Sequence, residues 1–145
     1  MDQVALLHRL NPDDWPTWSK DIPRTKYAVT YFETGRRRPE RIHPGIPVVV
    51  LGTQGLGIVA VGETASHVQD LLDPDANLAP PTRRRRYSDV RRRVRVRVMQ
   101  VRVSIAKVQA HPVTADLPRF RRETTTWLNK SQYDALISLV REYGK

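Results

Sequence analysis

The chain contains no cysteine among its 145 residues. That excludes a disulfide framework, a thiolate zinc site and a thiol nucleophile. Long hydrophobic runs are missing as well. No apolar stretch approaches the roughly 18 residues a spanning helix needs, so no membrane partner is expected. Met1-Asp2-Gln3 places an acid early and no basic segment precedes an apolar stretch, so no secretory signal is predicted and a cytoplasmic location is the expectation. The four histidines, His8, His43, His67 and His111, show no i, i+4 pair and no ligand spacing, and the acids do not cluster as a metal-dependent nuclease requires. Gly52-Thr53-Gln54-Gly55-Leu56-Gly57 opens no helix and lacks a lysine. It is therefore a hairpin turn and not a phosphate-binding loop. No nucleophile–base pair stands out. The expectation is a chain with no catalytic residue, no metal and no small-molecule cofactor.

What is present in excess is arginine. Lysine and arginine number 25 against 15 acids, a net charge of +10, and 20 of the 25 are arginine. The guanidinium stays ionised and donates two parallel hydrogen bonds to a phosphate, so an arginine-rich surface points to a polyanion, nucleic acid first. Three groups are candidates for backbone contact: Arg36, Arg37, Arg38 and Arg41; Arg83, Arg84, Arg85 and Arg86; and Arg93, Arg95 and Arg97. The alternative for each is a solvated charged face.

Val4, Leu6, Leu7 and Leu10 have near-helical spacing, ended by Asn11-Pro12. Asp13 is the predicted cap of a second short helix through Trp15 and Trp18. Residues 1–25 therefore read as an N-terminal helical extension. Tyr27–Phe32 reads as a strand, Pro47–Leu51 as a buried strand, and Leu56–Gly62 as its return. A short helix is expected over Ser66–Leu72, followed by an excursion over 76–90. From Arg93 to Ile105 valines alternate with arginines: Val94, Val96 and Val98 first, then Val101, Val103 and Ile105 one residue out of step. A β-bulge near Met99-Gln100 would keep both sets facing inward. Ser131-Gln132-Tyr133-Asp134 has the spacing of a capping box for a last helix ending at Gly144. The predicted fold class is α+β: a curled sheet of five to six strands with flanking helices.

Three segments carry a resemblance to a known family: Lys26-Tyr27-Ala28-Val29-Thr30-Tyr31; Pro47–Leu51 with Gly57-Ile58-Val59-Ala60-Val61-Gly62-Glu63; and Phe120–Ser131 before the final helix. Together they resemble the EVE family of the PUA-like superfamily, to which YTH and ASCH domains also belong. The resemblance implies a pseudo-barrel over residues 26–145 with a surface pocket for one extruded base. It also implies recognition of a modified base, methylated or hydroxymethylated cytosine in double-stranded DNA. The chain would then be the specificity module of a modification-dependent restriction system, partnered with a nuclease domain or subunit. An RNA-binding module for a modified ribonucleotide is the alternative.

A flipped base needs flat walls, since stacking on an aromatic ring supplies about 1–3 kcal/mol. Trp15, Trp18, Tyr27 and Tyr31 are the candidate walls, and the competing reading of each is an ordinary core residue. Thr30 and Glu33, at the end of the same strand, are candidates for polar contact with the base edge.

Overall fold

The computed structural model describes residues 3–33, 41–71, 91–119 and 124–144. Its sheet includes, next to an edge strand, a strand where the residue spacing predicts a helix. Gln3–Leu10 forms β1, and every residue from Ala5 to Leu10 is buried. It runs parallel to β3 (Pro47–Gly52) and antiparallel to β7 (Thr124–Asn129). A strand covered on both faces shows no alternation of apolar and polar residues, so its periodicity imitates a helix. Residues 3–10 are thus part of the sheet and not of a helical extension.

The strands run in the order β2-β6-β4-β3-β1-β7, with β2 Ala28–Glu33, β4 Gly57–Thr64 and β6 Arg91–Val103. A short β5 (Gln69–Leu71) also pairs with β6. Over residues 66–71, the described part of the expected Ser66–Leu72 helix, no helix forms. Instead Ala65 N–H donates to the Arg95 carbonyl and Arg95 N–H to Ser66 Oγ, so the segment docks on β6 and continues as strand.

Each face of the sheet carries a core. On one, Leu6, Leu10, Val48, Val50, Val94, Val96 and Val98 pack beneath Trp15, Trp18, Ile22, Ile42 and Ile46. On the other, Ala5, Leu7, Val49, Leu51, Val101 and Val103 pack beneath α2 (Ile105–Ala110) and α3 (Lys130–Tyr143). Full burial of one such side chain stabilises by about 1.5–3 kcal/mol.

This division corrects the effect expected of a bulge near Met99-Gln100, not its place. The two valine sets of β6 do not face the same way: the first enters one core and the second enters the other. Gln100 stays in step with Val98 on the first face, where its side-chain amide donates to the Ser19 carbonyl at 3.1 Å and to that of Ile22. A register irregularity does lie next to Gln100: against the two-residue step Ile58–Ala60 of β4, β6 takes three residues from Gln100 to Val103 and so carries one extra, while the same stretch of β4 carries one extra against Val50–Leu51 of β3.

The helix starts differ from the expected ones by two residues. Asn11, not Asp13, accepts from the backbone to begin the turn at Pro12–Asp14, which runs into α1 (Trp15–Trp18). The capping box of α3 is Asn129 with Gln132, so the helix begins at Lys130, ahead of Ser131. An Asn at this position accepts a backbone N–H as well as Ser does. The helix α2 and the strand β7 are additions to the sequence reading. The hairpin turn after β3 is as expected, with Gln54 and Gly55 at positive φ.

Candidate nucleic-acid interface

The outer face of β6 follows from its alternation. With Val94, Val96 and Val98 fully buried, Arg95 and Arg97 must project from the opposite side, and both are exposed. Across the edge pairing with β2, Arg97 lies opposite Val29 and Arg95 opposite Tyr31, while Thr30 lies opposite Val96. Directly opposed residues of an antiparallel pair share a face. Val29 (55% exposed) and Tyr31 therefore join the arginine side, and Thr30 the first core's side. The backbones of Glu33 and Arg93 pair at the end of the same ladder.

Where α3 stops covering this face, an open cleft of about 440 Å³ remains. Tyr27, Val61, Glu63, Arg97, Tyr133 and Ile137 contribute to its lining. Val61 and Glu63 alternate on β4, and Glu63 is the direct cross-strand partner of Arg97. Gly62 between them permits the close approach of the two strands: a Cβ there would run into the Arg97 carbonyl and the Val98 Cα. Tyr133 and Ile137, one helical turn apart, present the face of α3 to the cleft. Tyr27 is 48% exposed. Among the described residues, no hydrogen bond or ion pair occupies the Glu63 carboxylate or the Arg97 guanidinium.

Burial holds the Tyr133 phenol above the ordinary tyrosine value; Arg141 opposes that rise, and Asp134 and Tyr27 add to it. The phenol is therefore neutral near pH 7, able both to donate and to stack.

The residues expected at a base pocket are thus divided by the sheet. Tyr27 lines the cleft. Trp15 and Trp18 are half-buried against the opposite core, their ring centroids 6.2 Å apart, and the Trp18 indole N–H donates to the Tyr31 carbonyl at 3.0 Å. Of the expected backbone-binding arginines, Arg97 lines the cleft, Arg95 lies beside it on the same face, and Arg41 sits in an exposed turn with φ of 64°. Arg36, Arg37, Arg38, Arg83, Arg84, Arg85 and Arg86 lie outside the described residues.

Glu63 and Tyr133 were not singled out as site residues from the sequence. The signal for Glu63 was a carboxylate ending an otherwise apolar strand. For Tyr133 it was a place three before Leu136 on the apolar stripe of the last helix.

Two buried polar residues on β1 are structural. His8 Nδ1 shares a 2.9 Å hydrogen bond with Thr125 Oγ1. Arg9, 3% exposed, donates from Nε to the Leu117 carbonyl and from a terminal nitrogen to Thr126 Oγ1. Burial lowers its guanidinium to about 10, which leaves it cationic at neutral pH. Among the described residues no group of three or more His, Asp or Glu could hold a metal ion, and no helix is long and apolar enough to cross a membrane.

No protein-family model matches the chain. No curated protein matches it. Solved structures do resemble it. The ASCH protein of Zymomonas mobilis superposes with a TM-score of 0.60 at 13% identity, covering 95% of this chain and 96% of that one. Two single-residue variants of that protein give 0.56 at 13% identity, covering 94% and 98%, and 0.53 at 14% identity, covering 95% and 97%. At this identity the likeness bears on the fold alone. The architecture of this chain is that of an ASCH-type α+β domain, a curled mixed sheet with flanking helices.

Proposed function

We propose that this protein is a nucleic-acid-binding module that lays a strand along the outer face of β6 and takes one unstacked base into the cleft beside α3. It acts by binding, not by catalysis. The observation that carries the proposal is the double membership of Arg97, which belongs both to the exposed cationic row and to the cleft lining. A phosphate held by such a row positions the strand, and the cleft does the reading. Tyr27 and Tyr133 supply the rings that an unstacked base needs. The net charge of +10 supplies the long-range attraction.

In its narrower form the proposal is a reader of methylated or hydroxymethylated cytosine in duplex DNA, serving a nuclease domain or subunit. That form rests on the resemblance of the sequence to EVE domains. Fluorescence anisotropy with matched DNA and RNA oligonucleotides, single- and double-stranded, with cytosine or 5-methylcytosine, tests both forms. The broad form predicts affinity that falls steeply with salt and drops further in Tyr27→Ala. Salt-insensitive binding, or binding indifferent to Tyr27, Tyr133 and Arg97 alike, would overturn it. Equal affinity for cytosine and 5-methylcytosine would overturn the narrow form alone.

A further inference from the structure

The lining of the cleft holds a carboxylate where a phosphate-binding surface has no use for one. Glu63 stands directly across from Arg97, at the edge of the arginine row. A carboxylate repels phosphate and accepts hydrogen bonds only. In a cleft that admits nucleic acid, its favourable partner is therefore the N–H edge of a base.

The four bases differ sharply in what they offer such a group. Guanine presents two adjacent donors, N1–H and the 2-amino group, which match the two oxygens of one carboxylate. Cytosine and adenine each offer an amino group, but a ring-nitrogen lone pair lies next to it and repels the second oxygen. Uracil and thymine place a single N–H between two carbonyls. Guanine also carries O6 and N7, two acceptors side by side on the neighbouring edge, and arginine is the side chain that best matches them. Opposed residues of an antiparallel pair have Cβ atoms about 4.5–5.5 Å apart, so Glu63 and Arg97 reach adjacent edges of one ring. The two groups are not engaged with each other. The flat walls come from Tyr27 and Tyr133, one from the approach to β2 and one from α3.

We infer that the base taken into this cleft is guanine, with Glu63 reading its N1–H and 2-amino edge and Arg97 its O6. This inference rests on the broad form of the proposed function and departs from the modified-cytosine form.

The test uses one single-stranded oligothymidylate carrying G, inosine, A, C or 5-methylcytosine at a single central position. Affinity is measured by anisotropy for the wild-type chain and for Glu63→Gln. G is expected to bind about tenfold tighter than A or C, as one well-made bidentate contact allows. Inosine, which lacks the 2-amino group, should fall between. In Glu63→Gln the preference for G should collapse while salt-dependent binding persists. Glu63 is exposed, so the fold tolerates the change, and the inosine comparison needs no variant at all.

If A, C or 5-methylcytosine binds as well as G, yet binding still depends on Tyr27 and Tyr133, the guanine inference fails and the single-base proposal stands. If no central base matters and neither tyrosine matters, both fail together.

Discussion

The two halves of β6 share one strand and one composition, valine and arginine, but the molecule uses them in opposite ways. In the first half, Val94, Val96 and Val98 are buried on one face while Arg95 and Arg97 project from the other into solvent. In the second half the covered face is the other one: Val101 and Val103 lie beneath α2 and α3, and Arg102 is exposed. Gln100 stands at the changeover. Its backbone N–H donates to the Pro23 carbonyl at 2.9 Å and its side chain to two further carbonyls of the N-terminal segment. A sheet with a core on each face need not be covered on both faces along its whole length. Where the cover ends, a charged face and the edge of an apolar core meet, and the cleft lies at that border.

If burial holds the second half and the first half's outer face is free for a ligand, the two should respond to different substitutions. Leu136→Ala, which empties a fully buried position under α3, should cost about 3 kcal/mol in denaturant unfolding, the middle of the range for core leucines. A loss below about 1 kcal/mol would mean that α3 is only loosely docked and that the border is badly drawn. The double change Arg95→Gln, Arg97→Gln should move stability by no more than about 0.5 kcal/mol, as surface changes do. It should lower nucleic-acid affinity about tenfold and flatten the log–log salt dependence by about 0.7–0.9, the share of the one phosphate contact made by Arg95, since Arg97 is turned to the base. An unchanged slope would show that the exposed row touches no phosphate.

The sequence carried the arginine face plainly, because period-two alternation fixes which residues share a side and valine at every second place fixes which side is buried. It carried the β3–β4 hairpin for the same kind of reason, since turn chemistry is local. It misread β1 because Ala5–Leu10 is buried on both faces and leaves no period to detect. The slip in valine parity points to the irregularity beside Gln100 but not to its consequence, since one strand does not reveal that a second core waits behind it. The cleft was half legible. Tyr27 and Arg97 stood out by type, whereas Glu63 and Tyr133 gain meaning only once β4, β6 and α3 are brought together. Trp15 and Trp18 illustrate the converse. Their type suits a base, and their place, packed against the first core, suits a core.

That last contrast can be sharpened by Trp18→Phe. The ring volume is largely kept, but the 3.0 Å bond to the Tyr31 carbonyl is lost, so stability should fall by about 1 kcal/mol. Oligonucleotide affinity should be unchanged, because the tryptophan packs on the face opposite the cleft. A drop in affinity larger than the drop in stability would bring the first core into the binding surface and erase the distinction between the faces.

The smallest effect belongs to Tyr133, whose phenol burial holds above the ordinary value of 10.0. The folded chain keeps this proton to higher pH than the unfolded chain does, so above about pH 10 the unfolded state binds fewer protons and stability declines as pH rises. Below that range both states hold the proton and the residue adds no pH dependence. Ultraviolet titration of tyrosinate should therefore show a late-ionising component that is lost in Tyr133→Phe, with the alkaline loss of stability shallower in the variant. Adding an oligonucleotide should delay that group further, because a base stacked in the cleft deepens its burial, whereas strand binding confined to the arginine row would leave it where it was or, by bringing no cover to α3, move it not at all. The tyrosine titration thus separates a ligand that enters the cleft from one that only lies along the exposed half of β6.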